Sequence, residues 1–167
     1  FEIGSYFLET GHRHLAFITG PEDTSTSQER QNGFQDAIMS DASIQFFVER
    51  GNYTYQSGFN AAIKLLEQNK EIDGIFCAND ITAIGAIDGL RSIGYRVPED
   101  VSIIGFDDIK MASWYNYSLT TWKQPIDEMV DLTIETLLKE IEDKEVIKKV
   151  TSLKGELIIR DSVVNRT

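Results

Sequence analysis

The sequence predicts an α/β protein built on a doubly wound, mainly parallel sheet. Three observations support this fold class. From the start of the chain to Lys110, short apolar runs alternate with longer amphipathic stretches. Glycines and polar loops separate them, and the apolar runs are continuous, as in strands covered on both faces. Because parallel strands require crossover connections, this alternation favours right-handed β-α-β units.

The predicted elements follow in the order αβαβαβαβ. The predicted strands cover 15–20, 44–48, 72–78 and 101–106, and the predicted helices cover 2–10, about 28–39, 59–66 and 80–93. Gly11 and Gly94 are suitable residues for ending the first and last of these helices. Asp80 stands where the N-cap of the last helix is expected.

The pattern changes after Lys110. A short extended segment, "LTTWKQP", precedes a strongly amphipathic helix at 126–141, and "GELIIR" near the end of the chain predicts one more strand. One stripe of the helix carries seven large apolar residues, and we expect this stripe to pack against its own lobe or against a second copy of the chain. They are Ile126, Met129, Val130, Ile134, Leu137, Leu138 and Ile141.

Composition excludes several classes of protein. The 167 residues suit one domain or one lobe, and the net charge of −11 disfavours direct binding to nucleic-acid phosphates. The single cysteine, Cys77, lies in an apolar run, so we expect a buried thiol and no internal disulfide. With no apolar run of membrane-spanning length and no signal-peptide pattern, the sequence predicts a cytoplasmic protein without a membrane partner.

Enzyme signatures are mostly absent from the sequence. There is no glycine-rich phosphate loop and no nucleophile elbow, and His12 and His14 have no metal-ligand partner at a usable spacing. The pair Asp107-Asp108 could act as acid and base, but adjacent residues at a strand end usually point in different directions. The sequence therefore predicts a protein that is not an enzyme and has no cofactor and no metal.

Polar residues come directly after two of the predicted strands. "IDGIFCAND" ends in Asn79-Asp80, and "VSIIGFDDI" contains Asp107-Asp108. In open parallel sheets, ligands bind beyond the carboxyl ends of the strands. We therefore predict that Asn79 and Asp107 face a ligand, and that Asp80 and Asp108 cap the helices that come after them.

Two more side chains suit the same crevice. Arg30 lies early in the helix after the first strand, and Tyr53 lies in the loop after the second strand. A fork-shaped donor, an amide and a carboxylate can hold pairs of hydroxyls, and an aromatic face can cover the apolar side of a sugar ring. Taken together, these residue types predict a cleft for a polyhydroxylated ligand.

The chain resembles the effector-binding core of the LacI/GalR family of bacterial transcription regulators. The matching segments are "GHRHLAFITGP", "ERQNGFQDAI", "IFCANDITAIGAIDGLRSIGYRVPEDVSIIGFDDI", "LTTWKQP" and "LIIRDS", in family order over nearly the whole chain. The resemblance implies a two-lobed fold like the periplasmic sugar-binding proteins, with an effector between the lobes. It implies that Arg30, Asn79 and Asp107 contact the effector, that Tyr53 stacks on it, and that Gln124 lines the cleft.

The resemblance also implies a division of the chain. Residues 1–123 would form the C-terminal lobe, 124–150 would belong to the N-terminal lobe, and 151–167 would return to the C-terminal lobe as a strand and tail. The family's helix-turn-helix is not in this sequence, so operator DNA would be bound only through a part outside it. A homodimer is expected through the helix 80–93 and the segment "MASWYNY" at 111–117, by way of Ile81, Ile84, Ile87, Met111, Trp114 and Tyr115.

Several classes of effector are compatible with the sequence. A sugar or sugar derivative is the first expectation, a purine or other small metabolite is the second, and one branch of the family uses a phosphoprotein as corepressor. Two departures from the family pattern, Tyr117-Ser118 in place of prolines and Trp122 in place of a small aliphatic residue, lie near the cleft floor or the subunit interface. The alternatives are a periplasmic-type solute receptor and, more remotely, a carboxylate-dependent hydrolase.

Overall fold

The computed structural model describes residues 1–143 and 150–167. Five α-helices lie within these residues: α1 (Glu2–Glu9), α2 (Ser25–Ile38), α3 (Tyr55–Gln68), α4 (Asp80–Ser92) and α5 (Ile126–Asp143). Six strands lie there as well: β1 (His14–Ile18), β2 (Gln45–Glu49), β3 (Gly74–Cys77), β4 (Ser102–Asp107), β5 (Thr120–Lys123) and β6 (Glu156–Ile158). The four strands predicted before Lys110 are confirmed, with ends that differ by at most two residues.

The strands form one sheet in the order β2-β1-β3-β4-β5-β6. The first five are mutually parallel, and β6 runs antiparallel to β5. Successive residues of β1 point to opposite faces, so that Ala16 and Ile18 enter the core beneath α3 and α4 while Leu15 and Phe17 enter the core beneath α1 and α2. This two-sided burial confirms the predicted doubly wound α/β fold.

Helix α4 packs unusually close to α3. A Cβ added at Gly85 would lie 2.0 Å from the carbonyl oxygen of Tyr55, and one at Gly89 would lie 2.5 Å from the carbonyl oxygen of Phe59. Small residues on α4 therefore let the two helix backbones approach each other. Since α4 contacts both the sheet and α3, its wide apolar surface is explained within the lobe.

Helix α5 does not pack against its own lobe, so that part of the prediction is wrong. Its seven stripe residues are between 44 and 71 % exposed. The helix begins directly after Gln124-Pro125 at the edge of the sheet, and no other described element covers its apolar side. Packing against a second copy remains a prediction. None of the helices in the described ranges has the length and apolar character needed to cross a membrane.

Two buried groups support the core. Cys77 is free and fully buried, as predicted, and burial raises the pKa of its thiol. The ring of His12 is also fully buried, between the hydroxyls of Thr10 (2.9 Å) and Ser102 (2.8 Å). These contacts connect the end of α1 to β4.

Candidate functional site

A cavity of about 460 Å³ opens at the carboxyl edge of the sheet. Its wall combines an aromatic floor with a few polar side chains, the usual composition of a small-molecule site. The lining residues are Phe1, Glu2, Ile3, Thr26, Glu29, Arg30, Phe76, Phe106, Trp122 and Gln124.

Arg30 is held in place by three contacts. One guanidinium nitrogen, Nη1, donates to the carbonyl oxygen of Ala78 at 2.5 Å. The guanidinium carbon lies 3.8 Å from the centroid of the Phe106 ring, which is a cation–π contact. Nη2 lies 3.8 Å from Oδ1 of Asp107. Helix α2 therefore directs Arg30 to the sheet edge, with its planar fork preorganised at the cavity.

Asp107 is the last residue of β4, and its carboxylate meets two partners. Nε2 of Gln124 donates to Oδ1 at 2.7 Å, and Arg30 faces the same oxygen. Desolvation raises the pKa of Asp107, while Arg30 and the bond from Gln124 oppose that shift. Both described contacts use Oδ1, so Oδ2 is the oxygen that can accept from a ligand.

Asn79 and Tyr53 form a second cluster beside the first. The side-chain Oδ1 of Asn79 accepts from the backbone nitrogen of Thr82 at 2.9 Å, so Asn79 is the N-cap of α4. Its Nδ2 donates to the carbonyl oxygen of Tyr53 at 3.4 Å. The Tyr53 hydroxyl lies 3.3 Å from Oγ1 of Thr26, which lines the cavity. The ring of Tyr53 covers Gly20, where any Cβ would lie 2.2 Å from it.

The prediction that Asp80 and Asp108 cap the following helices is wrong. Asn79 takes the cap position because its backbone is extended and its side chain reaches the residue three positions on. Asp80 is instead fully buried and accepts a hydrogen bond from Thr121 on β5. Asp108 pairs with Arg160 at 2.7 Å, a partner that is remote in sequence.

The aromatic floor is a part of the site that was not predicted from the sequence. Phe106 and Trp122 occupy paired positions on the parallel strands β4 and β5, so their side chains leave the same face of the sheet. Phe76 on β3 extends this floor. A signal was available for Phe106, because it directly precedes Asp107 at the end of an apolar run. No group of three or more His, Cys, Asp or Glu side chains within the described ranges is arranged to hold a metal ion.

The predicted dimer residues divide into two groups. Ile84 and Ile87 are 4 % and 0 % exposed and belong to the core beneath α3 and α4, so they do not provide an exposed contact surface. Trp114 and Tyr115 are 50 % and 98 % exposed. Partly buried positions are held by Ile81 and Met111. Within this set, the large exposed apolar surface is aromatic and comes after the 3₁₀ turn Lys110–Ser113.

Comparison with known proteins identifies the class that this fold and site define. The profile of the family described as periplasmic binding protein-like domain matches residues 5–163, so the chain belongs to this family. Its sequence and fold match the effector-binding region of LacI-family regulators, as the resemblance implied.

Three similar proteins illustrate the match. The transcriptional repressor PurR of Aliivibrio fischeri is 38 % identical over 166 residues, which cover 96 % of this chain and 49 % of that protein. A sugar-binding LacI-family regulator from Escherichia coli, complexed with phosphate, is 34 % identical with a TM-score of 0.87, covering 98 % of this chain and 59 % of that one. The CelR–cellobiose complex is 32 % identical with a TM-score of 0.88, covering 95 % and 49 %.

The chain spans about half the length of the curated relatives that it matches. Those relatives are named as transcriptional repressors and not as enzymes.

Proposed function

We propose that this chain is one lobe of the effector core of a LacI-type transcriptional regulator and binds a small effector at the carboxyl edge of its sheet. The observation that carries the proposal is the convergence of Arg30 and Gln124 on one carboxylate oxygen of Asp107, at 3.8 and 2.7 Å, beside the aromatic floor. The whole protein would bind operator DNA as a dimer through a region outside this chain. The effector would change DNA affinity by stabilising one lobe arrangement over another.

An uncharged sugar is the effector that this lobe favours. The aromatic floor offers an apolar face to a sugar ring, and Arg30, Asp107 and Gln124 offer donors and acceptors for its hydroxyls. Among the described residues that line the cavity, Arg30 is the one cationic side chain, and it faces Asp107. Glu2 and Glu29 add two acids to the same wall, so an anionic effector would meet a net negative surface. A purine is the second candidate.

The exposed stripe of α5 fits the proposed division of the chain. Residues 1–123 and 151–167 would form this lobe, and 124–150, of which 144–149 lie outside the described residues, would belong to a second lobe. Burial of one large apolar side chain contributes about 1.5–3 kcal/mol. A second lobe that covers Ile134, Leu137 and Leu138, each about half exposed here, would gain several such contributions. It would also supply the opposite wall of the cleft.

The arrangement favours binding over hydrolysis. A carboxylate pair that works as acid and base needs both groups at the reacting bond. Asp108 is turned away into its ion pair with Arg160, which leaves Asp107 without a second catalytic carboxylate from that position. We therefore propose a regulator without enzymatic activity, located in the cytoplasm like other DNA-binding proteins of bacteria. A signal peptide upstream of this sequence would instead favour a solute receptor.

Calorimetric titration of the full-length protein tests the proposal. The probes are D-glucose and cellobiose as neutral sugars, D-glucuronate as an anionic sugar, and adenine as a nucleobase. We expect a neutral sugar to bind, and Asp107→Ala to weaken it about 10- to 100-fold, because a hydrogen bond to a charged group contributes about 1.5–3 kcal/mol. Asp36→Asn, an exposed acid on α2, is the matched control. Preferential binding of D-glucuronate or adenine, or wild-type affinity in Asp107→Ala, would contradict it.

A further inference from the structure

Asp80 is a buried carboxylate that makes no direct contribution to the cavity wall. Its side chain is 0 % exposed at the start of α4. Oδ2 accepts from the backbone nitrogen of Ile109 at 2.8 Å, and Oδ1 accepts from the hydroxyl of Thr121 at 2.5 Å. Burying a carboxylate is unfavourable unless such bonds replace water. The two bonds connect α4 to the turn after β4 and to strand β5.

The turn held by Asp80 has an unusual backbone. Asp107 and Asp108 have φ values of +120° and +56°, in a region that residues with a side chain rarely adopt. Such a conformation persists only where surrounding contacts determine it. Behind Asp107, the backbone nitrogen of Asp108 donates to Oγ1 of Thr121 at 3.4 Å, and that of Ile109 donates to Asp80. Asp80 and Thr121 therefore fix the chain immediately after Asp107.

Strand β4 also makes room for this carboxylate. A Cβ added at Gly105 would lie 2.2 Å from Oδ1 of Asp80, so any side chain there would displace it. Arg160 supports the turn from the other side, donating to Asp108 at 2.7 Å and to the carbonyl oxygen of Leu119 at 2.7 Å. The lack of a side chain at Gly105 therefore leaves space for the Asp80 carboxylate in the position where it makes its two hydrogen bonds.

We infer that Asp80 is a positioning residue for effector binding: its bonds to Ile109 and Thr121 hold the strained turn so that the Asp107 carboxylate meets Arg30 and Gln124. The inference rests on the proposed role of Asp107 as an effector contact. Asp80 acts through Asp107 and does not touch the effector itself.

Protonation of Asp80 should weaken this connection. Burial raises its pKa to about 6, and the nearby carboxylates of Asp107 and Asp108 act in the same direction, while the bonds from Thr121 and Ile109 oppose them. Arg30 and Arg160 face those two acids, and burial keeps the nearby thiol of Cys77 protonated. A neutral Asp80 no longer accepts two hydrogen bonds as a charged group, so the turn loses part of its support near pH 6.

Affinity and stability should then respond to pH in opposite directions. Because the pKa of Asp80 is raised in the folded state, its protonation favours folding, and stability relative to Asp80→Asn should rise as the pH falls through 6. Effector affinity relative to Asp80→Asn should fall over the same interval. A merely structural role would make both quantities change together.

The experiment uses full-length wild type, Asp80→Asn, Asp107→Ala and the double variant, titrated with D-glucose and cellobiose at pH 7.5 and 5.5. We expect Asp80→Asn to lower affinity several-fold at pH 7.5, less at pH 5.5, and to have no further effect in the Asp107→Ala background. Thr121→Val is the second variant: it keeps the side-chain shape but removes the hydroxyl that bonds Asp80 and the backbone nitrogen of Asp108, and it should also lower affinity. Additive losses in the double variant, or an affinity ratio independent of pH, would overturn the inference.

Hydrogen exchange of the segment 107–111, without any ligand, separates this inference from the proposed function. Faster exchange in Asp80→Asn and Thr121→Val than in wild type, with Asp36→Asn unchanged, supports the connection to the turn. Unchanged exchange in both variants overturns it. If wild type binds neither sugar, the sugar proposal fails, while exchange still decides whether Asp80 holds the turn.

Discussion

The guanidinium of Arg30 lies 3.8 Å above the ring of Phe106, next to Asp107. The aromatic ring orients the planar fork while Ala78 anchors one nitrogen, so the remaining donors are presented to the cavity. A lysine at this position would keep the charge but could not reproduce the fork or the stacking.

Arg30→Lys should therefore weaken the binding of a neutral sugar by about 10- to 100-fold with little change in stability. Phe106→Leu keeps the apolar floor but removes the cation–π contact, and should weaken binding about two- to fivefold, from roughly 0.5–1 kcal/mol. Calorimetric titration of the full-length protein checks both. Arg50→Lys, at an exposed arginine, is the control. Equal affinities for wild type and Arg30→Lys would show that the guanidinium of Arg30 does not contact the effector.

Asn79 has a structural role that the sequence analysis underestimated. Because its Oδ1 caps α4, Asn79→Ala should lower the free energy of unfolding by about 1 kcal/mol, whereas Asn79→Ser should restore most of it. Urea denaturation of the three proteins provides the comparison. If serine is no better than alanine, the cap does not account for the loss. Any effect of Asn79→Ala on effector affinity should be judged against the serine variant.

His12 should make the fold sensitive to acid. Burial lowers the pKa of His12 to about 4, against the opposing effect of Asp73. The unfolded chain, with an ordinary histidine pKa near 6.5, binds this proton more readily, so stability is lost as the pH falls from about 6.5 to 4. The loss is at most about 1.4 kcal/mol per pH unit.

Comparison with His12→Asn isolates this effect. At pH 7 the variant should be less stable, since Thr10 and Ser102 lose their partner ring. The difference in unfolding free energy between wild type and His12→Asn should become smaller as the pH falls, because only the wild type must charge the buried ring. His14→Gln, at a partly exposed position, serves as control. A stability difference that stays constant from pH 7 to 5 would show that His12 does not cause the sensitivity to acid.

Dimerisation should depend on the aromatic residues after the 3₁₀ turn. Tyr115 is 98 % exposed, so Tyr115→Arg should leave the fold intact while placing a charge in the expected interface. Together with Trp114→Ala, it should shift the full-length protein from dimer to monomer in sedimentation equilibrium. Met39→Ser, at an exposed apolar residue on the end of α2, should have no effect. A dimer of unchanged affinity in the double variant would exclude this surface.

The stripe on α5 should make the isolated 167-residue chain self-associate. Leu137→Glu should reduce that association, whereas Thr133→Glu, on an exposed polar position of the same helix, should not. In a longer protein with a second lobe, the same Leu137→Glu should instead destabilise the fold, by about 2–5 kcal/mol for loss of a buried leucine. Light scattering and denaturation provide the two measurements. If Leu137→Glu and Thr133→Glu have the same effect on association and on stability, the stripe is not an interface.

Much of this fold could be predicted from the sequence because the deciding patterns are local. Continuous apolar runs determine strands covered on both faces, and helix periodicity between them requires crossovers, so β1 to β4 and their parallel direction can be derived, whereas their order in the sheet was not predicted. The polar residue that leaves a strand end is also visible in the sequence. Arg30 and Asp107 could be named as neighbours for that reason, and the structure places them 3.8 Å apart.

Other features depended on contacts through space. Whether Asn79 or Asp80 caps α4, and whether Asp108 turns toward a helix or toward Arg160, is decided by partners on different strands. The burial of Ile84 depends on how closely α3 approaches α4, and the exposure of α5 depends on which surfaces lie near it. A local sequence pattern determines the position of a residue on its helix or strand. A buried polar side chain, however, bonds to whichever partner the tertiary structure brings within hydrogen-bond distance.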